Sequence, residues 1–251
     1  MDINVNGLKV YIPFIYINLD KDIDRKISVE NECNQLELKY DRYSAVNKAN
    51  IHKYQNLIND YSIFFSMNDN EKACAISHLN ILKKYQNSEY KYIGIFEDDI
   101  YSYTNGSIFK NYVQKVISLV PNLDIVYFGQ ANVKCSDLEI IENPLYRTRS
   151  NHICTHAYMI SQNGIDIVLN SLPINKPIDI WYSKVLHKQG HSYVTLPSMI
   201  HQSILTMKSN SRQIIDYQIM NDCVIDHKIS LIKIAGIIII ITIIIWIILF
   251  K

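Results

Sequence analysis

Residues 92–96, Tyr-Ile-Gly-Ile-Phe, are apolar on both of the faces that a strand alternates, and the run ends directly in Glu97, Asp98 and Asp99. A strand with no polar face has no side to turn to water, so it belongs inside a sheet covered above and below. The flanking pattern supplies the covers. Asn68, Asp69 and Asn70 offer N-caps to a helix that carries Ala73, Ile76, Leu79, Ile81 and Leu82 at near-helical spacing. Upstream, 9–20 reads as a strand beginning near a sheet edge at Pro13 and leaving in Asn18-Leu19-Asp20, 21–38 as a helix, and 40–47 as a second strand. Downstream, 107–120 reads as a helix and 123–130 as a strand. A short strand near 157–161, a turn at Asn163-Gly164, a helix stopped before Pro173 and a helix from Pro177 to Gly190 follow. Strands alternating with helices predict an α/β fold with a mostly parallel sheet and helices on both faces. Ligands bind such sheets beyond the carboxyl ends of the strands, where Asn18, Asp20 and Glu97 to Asp99 fall.

Three adjacent carboxylates at the end of a buried strand need relief. Two unit charges about 4 Å apart at an effective dielectric of 20 interact by roughly 4 kcal/mol, so a cation, protonation or solvation must intervene. If the strand continues to Asp99, Glu97 and Asp99 share a face and Asp98 takes the other. Paired oxygen ligands of this kind suit Mg²⁺ or Mn²⁺, ions that commonly complete their shell with substrate phosphates. The alternative is a solvated acidic loop.

Other features bound the function. The 251 residues carry 25 Lys and Arg against 24 Asp and Glu, with no block of one sign, so a nucleic-acid groove has no compositional support. The 5 cysteines, Cys33, Cys74, Cys135, Cys154 and Cys223, include no C-x-x-C pair, which argues against a disulfide framework or a zinc knuckle and favours a reducing compartment. His152, Cys154 and His156 would share a strand face, but His152 and His156 would stand about 13 Å apart, too far to ligate together, so the cluster reads as packing. The first residues lack the charged start of a signal peptide.

The last stretch differs in kind. Residues 234–250, Ile-Ala-Gly-(Ile)5-Thr-(Ile)3-Trp-Ile-Ile-Leu-Phe, carry no charge and are bracketed by Lys233 and Lys251. Such a run is near the lower limit for spanning a bilayer core as a helix, and its isoleucines favour insertion by several kcal/mol, about 0.3 to 0.6 each. The expected organisation is a catalytic domain over 1–207, a connector over 208–230 and a C-terminal transmembrane anchor over 231–251. Lys228 and Lys233 against Lys251 alone predict a domain facing the cytosol.

The segments Ile17-Asn18-Leu19-Asp20 through Asp24-Arg25, Ser44 to Asn47, Ala-Cys-x-x-Ser-His at 73–78, the strand closed by Glu97-Asp98-Asp99, Pro177-x-Asp179 and the run ending in His201-Gln202 occur in the order and approximate spacing of glycosyltransferase family 25, which the chain resembles over about 10–205. The resemblance implies a GT-A-like, Rossmann-related fold, a UDP-sugar donor, a divalent cation (Mn²⁺ or Mg²⁺) and inverting transfer of a hexose, galactose or glucose, to a hydroxyl on a glycan, lipooligosaccharide or protein. By that match Glu97, Asp98 and Asp99 take the metal and nucleotide-sugar position, Asn18, Asp24, Arg25, Asn47, Ser77 and His78 fall among the donor-binding segments, and His201 is a candidate third metal ligand beside Glu97 and Asp99. Inversion needs a base for the acceptor hydroxyl, and Asp179 is the candidate, with Asp99 as the other catalytic carboxylate. Two alternatives use the same residues: a membrane-tethered sugar-nucleotide or protein-binding module without turnover, and a metal-dependent phosphohydrolase.

Overall fold

A computed structural model of the chain describes residues 1–59, 66–130, 133–149, 154–202 and 223. The elements are β1 (Asp2–Val5), β2 (Leu8–Tyr11), β3 (Phe14–Asn18), α1 (Ile23–Gln35), β4 (Tyr40–Ser44), α2 (Asp69–Tyr85), β5 (Tyr92–Glu97), β6 (Ile100–Ser102) and α3 (Gly106–Leu119). There follow β7 (Ile125–Tyr127), β8 (Leu138–Glu142), β9 (Leu145–Thr148), β10 (Ala157–Ser161), α4 (Gln162–Asn170), α5 (Ile178–Val185), β11 (Ser192–Thr195) and β12 (Ile200–Gln202). The sheet that organises the molecule has 8 strands in the order β4-β3-β5-β10-β7-β11-β9-β8. β4 and β5 run parallel to β3, and β11 parallel to β7, whereas β10 opposes both β5 and β7, and β9 opposes both β11 and β8. Six of the 8 strands therefore point one way, and β10 and β9 are the reversals that the expectation of strand–helix alternation did not contain.

Both faces of the sheet are covered. One core collects Val29 and Cys33 of α1 and Phe109, Val113 and Val116 of α3 against Phe14, Tyr16 and Phe96. The other collects Ala75, Leu79 and Leu82 of α2, Ile165 and Val168 of α4 and Trp181 and Tyr182 of α5 against Ile15, Ile93 and Ile95. The alternating faces of β3 and β5 thus feed different cores, which is why neither strand can spare a polar side. Gly94 is required at the crossing: a Cβ there would stand 2.3 Å from the Phe14 ring. Pro13 precedes β3, an interior strand and not the expected edge, and its carbonyl accepts from the Gly94 N–H.

Local signals set the helix starts. Asn68 and Glu71 form a reciprocal capping box on α2, Asn105 caps α3, and the Ser161 hydroxyl accepts from Gly164 N–H at the start of α4. That last cap replaces the turn expected at Asn163-Gly164, because the hydroxyl lets α4 begin directly after β10. Gly190, at φ +78°, closes the turn that follows α5.

Two expectations meet the structure differently at the chain's end. Cys135 and Cys223, 88 residues apart, form a disulfide, so the cysteines are not all unpaired, and only Cys33, Cys74 and Cys154 are free. Spacing along a chain says nothing about two residues that the fold brings together. Among the described residues no helix is long and apolar enough to cross a membrane. The predicted span at 231–251 and, apart from Cys223, the connector at 208–230 lie outside the described residues.

Candidate active site

β5 ends at Glu97, and Asp98 and Asp99 form the turn into β6, so the strand does not carry the alternation to Asp99 as expected. The turn instead sends Asp98 and Asp99 to a common partner. Arg25, on the first turn of α1, places Nη2 2.5 Å from Asp98 Oδ1 and 2.9 Å from Asp99 Oδ2. Asn18, at the carboxyl end of β3, donates from Nδ2 to Asp98 Oδ2 at 2.7 Å. Arg42 on β4 then donates to Asn18 Oδ1 at 3.1 Å and pairs with Asp20, which also accepts from the Ser44 hydroxyl. The ends of β3, β4 and β5 are knitted into one polar edge.

Glu97 faces a different set. His78, one turn beyond Cys74 on α2, lies with Nε2 3.3 Å from Glu97 Oε1, and the Thr155 hydroxyl donates to the same oxygen at 3.0 Å. The other imidazole nitrogen, Nδ1, meets the Tyr158 hydroxyl at 2.9 Å, which in turn meets the Tyr182 hydroxyl at 3.1 Å. His78 is fully buried between these partners.

Burial raises the proton affinity of all three carboxylates, but the neighbours divide them. For Glu97 the hydrogen bond and charge of His78, with smaller help from His156 and Thr155, outweigh desolvation and hold the carboxyl below its usual range. For Asp98 desolvation exceeds the pull of Arg25 and Asn18, and the shift is upward. For Asp99 desolvation and then the charge of Glu97 push the value up to about 7 against the opposing guanidinium. Asp179, on the first turn of α5, is raised to about 6, first by desolvation, with Glu97's charge adding to it. Asp179 lies far along the sequence, and of the three carboxylates at 97–99 it is Glu97 whose charge adds to its shift.

The remaining sequence candidates divide. Ser77 accepts from Val46 N–H at 2.8 Å and so holds the loop after β4, and Asn47 caps the 3-10 turn at Lys48–Tyr54 by accepting from Ala49 N–H. Asp24 is exposed and stands apart from the interior contacts of Arg25. His201 is turned away from the carboxylates: β12 aims Gln202 at Asp99, 3.5 Å from Oδ2, and strand alternation puts the His201 ring against Tyr103, 5.0 Å between centroids. The reading of 152–156 as packing fits His156, whose Nε2 lies 3.1 Å from Ile200 O, but it missed Thr155 beside Glu97 and Cys154 beside Gln202; His152 lies outside the described residues. No local pattern marks Thr155 or Tyr158: Tyr158 reaches the site through the register of β10 against β5, and Thr155 through the segment just before β10, where His156 O accepts from Glu97 N–H. Two cavities, of about 430 Å³ lined by Ile51, Tyr54, Lys72 and Ile76 and of about 690 Å³ lined by Asn47, Ser66, Asn68 and Glu71, open beside α2 and not on the carboxylates.

A cation fits at the acidic turn on one observation: Asp99 Oδ1 is buried without a hydrogen-bond partner. Asp99 through Oδ1 would hold a hard divalent ion, while Arg25 keeps Asp98 Oδ1 and Asp99 Oδ2 and Glu97 turns to His78 and Thr155.

A mixed α/β sheet covered on both faces, with acidic side chains gathered beyond its strand ends, has its polar cluster where such sheets bind ligands. Residues 11–182 match the model of glycosyltransferase family 25 (LPS biosynthesis protein), more than half of the chain, and the protein belongs to that family. Family membership makes glycosyl transfer its activity at the coarse level. No curated protein matches the sequence. Among solved structures, A197 from STIV is similar at 8% identity and a TM-score of 0.40, covering 82% of this chain and 100% of its own. Mannose-1-phosphate geranyltransferase from Thermus thermophilus is similar at 10% identity and a TM-score of 0.40, covering 76% of this chain and 74% of its own. Likenesses this distant carry no functional argument.

Proposed function

We propose that the protein transfers a hexose, galactose or glucose, from a UDP-sugar to a hydroxyl of a glycan, lipooligosaccharide or protein acceptor, with inversion and with help from Mn²⁺ or Mg²⁺. What supports this reading is the family match together with the carboxylates at the strand ends, Asp98 and Asp99 held on Arg25, and with Asp179, a half-buried carboxyl raised to about 6 by desolvation and further by the charge of Glu97. A base poised near working pH suits removal of a proton from an attacking hydroxyl. Asp179 takes that proton as the acceptor oxygen bonds to the anomeric carbon and the bond to the nucleotide diphosphate breaks. Arg25 and Asn18 hold Asp98 and Asp99 in place. A divalent ion held at Asp99 Oδ1 would supply positive charge to the departing diphosphate.

The apolar 234–250 segment supports a membrane tether, and its flanking lysines support a domain on the cytosolic side. The Cys135–Cys223 disulfide favours the opposite side, because such bonds persist in oxidising compartments. Protease added to sealed microsomes decides: digestion of the domain supports the cytosolic side, and protection, or a glycan at the Asn105-Gly106-Ser107 sequon, supports the lumenal one.

The activity test incubates the full chain with Mn²⁺, UDP-galactose or UDP-glucose, and a panel of hydroxyl acceptors. Transfer with inverted anomeric configuration, abolished by EDTA, is expected. Full activity in EDTA would remove the ion from the reading. Donor hydrolysis with every acceptor would favour a phosphohydrolase, and binding without turnover a binding module.

A further inference from the structure

Cys74 and His78 stand four residues apart on α2 and therefore on one face of it, and that face looks at Glu97. Cys74 Sγ, a ring nitrogen of His78 and a carboxylate oxygen of Glu97 all lie within 4.8 Å of one another. Around a tetrahedral ion with a sulfur ligand at about 2.3 Å and nitrogen or oxygen at about 2.0 to 2.1 Å, such atoms sit about 3.5 Å apart. Contraction by fractions of an ångström to roughly one ångström, within the reach of side-chain rotation, brings the three to that spacing. We infer that Cys74, His78 and Glu97 form a thiolate–imidazole–carboxylate site for a borderline-soft divalent ion of the zinc class, separate from the hard-ion position at Asp99 Oδ1.

Two features of the surroundings fit this use. Metal-bound imidazole normally donates its other N–H to an oriented oxygen, and His78 Nδ1 already faces the Tyr158 hydroxyl at 2.9 Å. Tyr158 can accept that N–H because its own proton can turn to the Tyr182 hydroxyl, 3.1 Å away. The Thr155 hydroxyl orients Glu97 in the same manner. Three protein ligands leave a fourth position for water or substrate, the arrangement of catalytic and not structural zinc sites. Binding displaces the thiol proton to solvent and transfers the imidazole proton to Nδ1, so occupancy falls with acidification. Magnesium, which takes oxygen ligands in an octahedron, is a poor occupant of such a set.

The test uses the full chain, stripped by chelator, and Co²⁺ as the probe in the absence of thiol reductant. One equivalent is expected to give the visible bands of tetrahedral cobalt with a near-ultraviolet thiolate-to-cobalt charge-transfer band, both bleached by an equivalent of Zn²⁺. Cys74→Ser should remove the charge-transfer band and weaken binding by at least about 100-fold, Tyr158→Phe should weaken it by about 10-fold, and Cys33→Ser should leave the spectrum unchanged. Cobalt bound without thiolate character, or a band that survives Cys74→Ser, would overturn the site. X-ray absorption of the zinc-loaded native chain guards against a variant that fails to fold: one sulfur in the ligand shell supports the inference, and a shell of oxygen and nitrogen alone rejects it. Neither readout depends on sugar transfer, so the site and the transferase reading stand or fall separately.

Discussion

Asp98 and Asp99 answer their crowding with a guanidinium, whereas Glu97, one residue earlier, answers it with an imidazole and a hydroxyl. The two halves of one acidic stretch are thereby set for different work. The Arg25 half is anchored to α1 and β3 and keeps protons more tightly than free carboxyls do, while the His78 half is anchored to α2 and β10 and is held ionised. The backbone turn after Glu97 is the cause, because it breaks the alternation that would have aimed Glu97 and Asp99 together. Adjacent identical charges acquire separate chemistry when each is delivered to a different layer of the fold.

The largest effect is expected at Asp179, whose carboxyl is raised to about 6 by desolvation and further by the charge of Glu97. Asp179→Asn is expected to lower turnover by roughly 10²–10⁴ while UDP-sugar binding stays within a few fold. Initial rates and calorimetry on one preparation measure both. Unchanged turnover would move the base elsewhere, with Asp98 as the next candidate, and would make the guanidinium half the chemically active one.

Arg25→Ala tests the other half through stability. Removing the guanidinium strands two buried carboxylates, and because the Arg25 side chain is 28% exposed the usual cost of breaking a buried pair is discounted to about 2 to 3 kcal/mol. Urea denaturation at pH 8 should show that loss, and at pH 5.5 a smaller one, since Asp99, with a value of about 7, takes up a proton there. Equal losses at the two pH values would mean that Arg25 acts by packing and not by charge.

A smaller effect comes from pH alone. Asp179 must be ionised to act as a base, so turnover should fall about tenfold for each unit below pH 6, where the carboxyl is raised from 3.8 to about 6. The same shift has the opposite sign for stability: the folded chain holds this proton more tightly than the unfolded one, so its contribution is full below about pH 3.8 and is lost as pH rises through about 6. A rate profile flat from pH 5 to 8 would exclude Asp179 as the base. The smallest effect is expected from Gln202→Ala, whose 3.5 Å contact with Asp99 is at the limit of hydrogen bonding. A few-fold loss of turnover in steady-state assays would agree with that geometry, and a hundredfold loss would give Gln202 a direct role on substrate.

The amino-acid sequence by itself determined the elements whose signals are local. The apolar faces of 92–96, the cap at Asn68 and the glycine at 190 depend on neighbours within a turn or a strand, and each appears where its spacing puts it. It also placed Glu97, Asp98 and Asp99 at a strand end, and it carried the family match over 11–182. The tertiary structure alone decided the reversal of β9 and β10, the pairing of Cys135 with Cys223, the choice of Gln202 over His201 at Asp99, and the arrival of Thr155 beside Glu97 and of Tyr158 beside His78. These outcomes turn on register and on contacts between residues distant in the chain. A shift of one residue in β10 or β12 would exchange which side chains face the carboxylates, and nothing in the local spacing of either strand distinguishes the two registers.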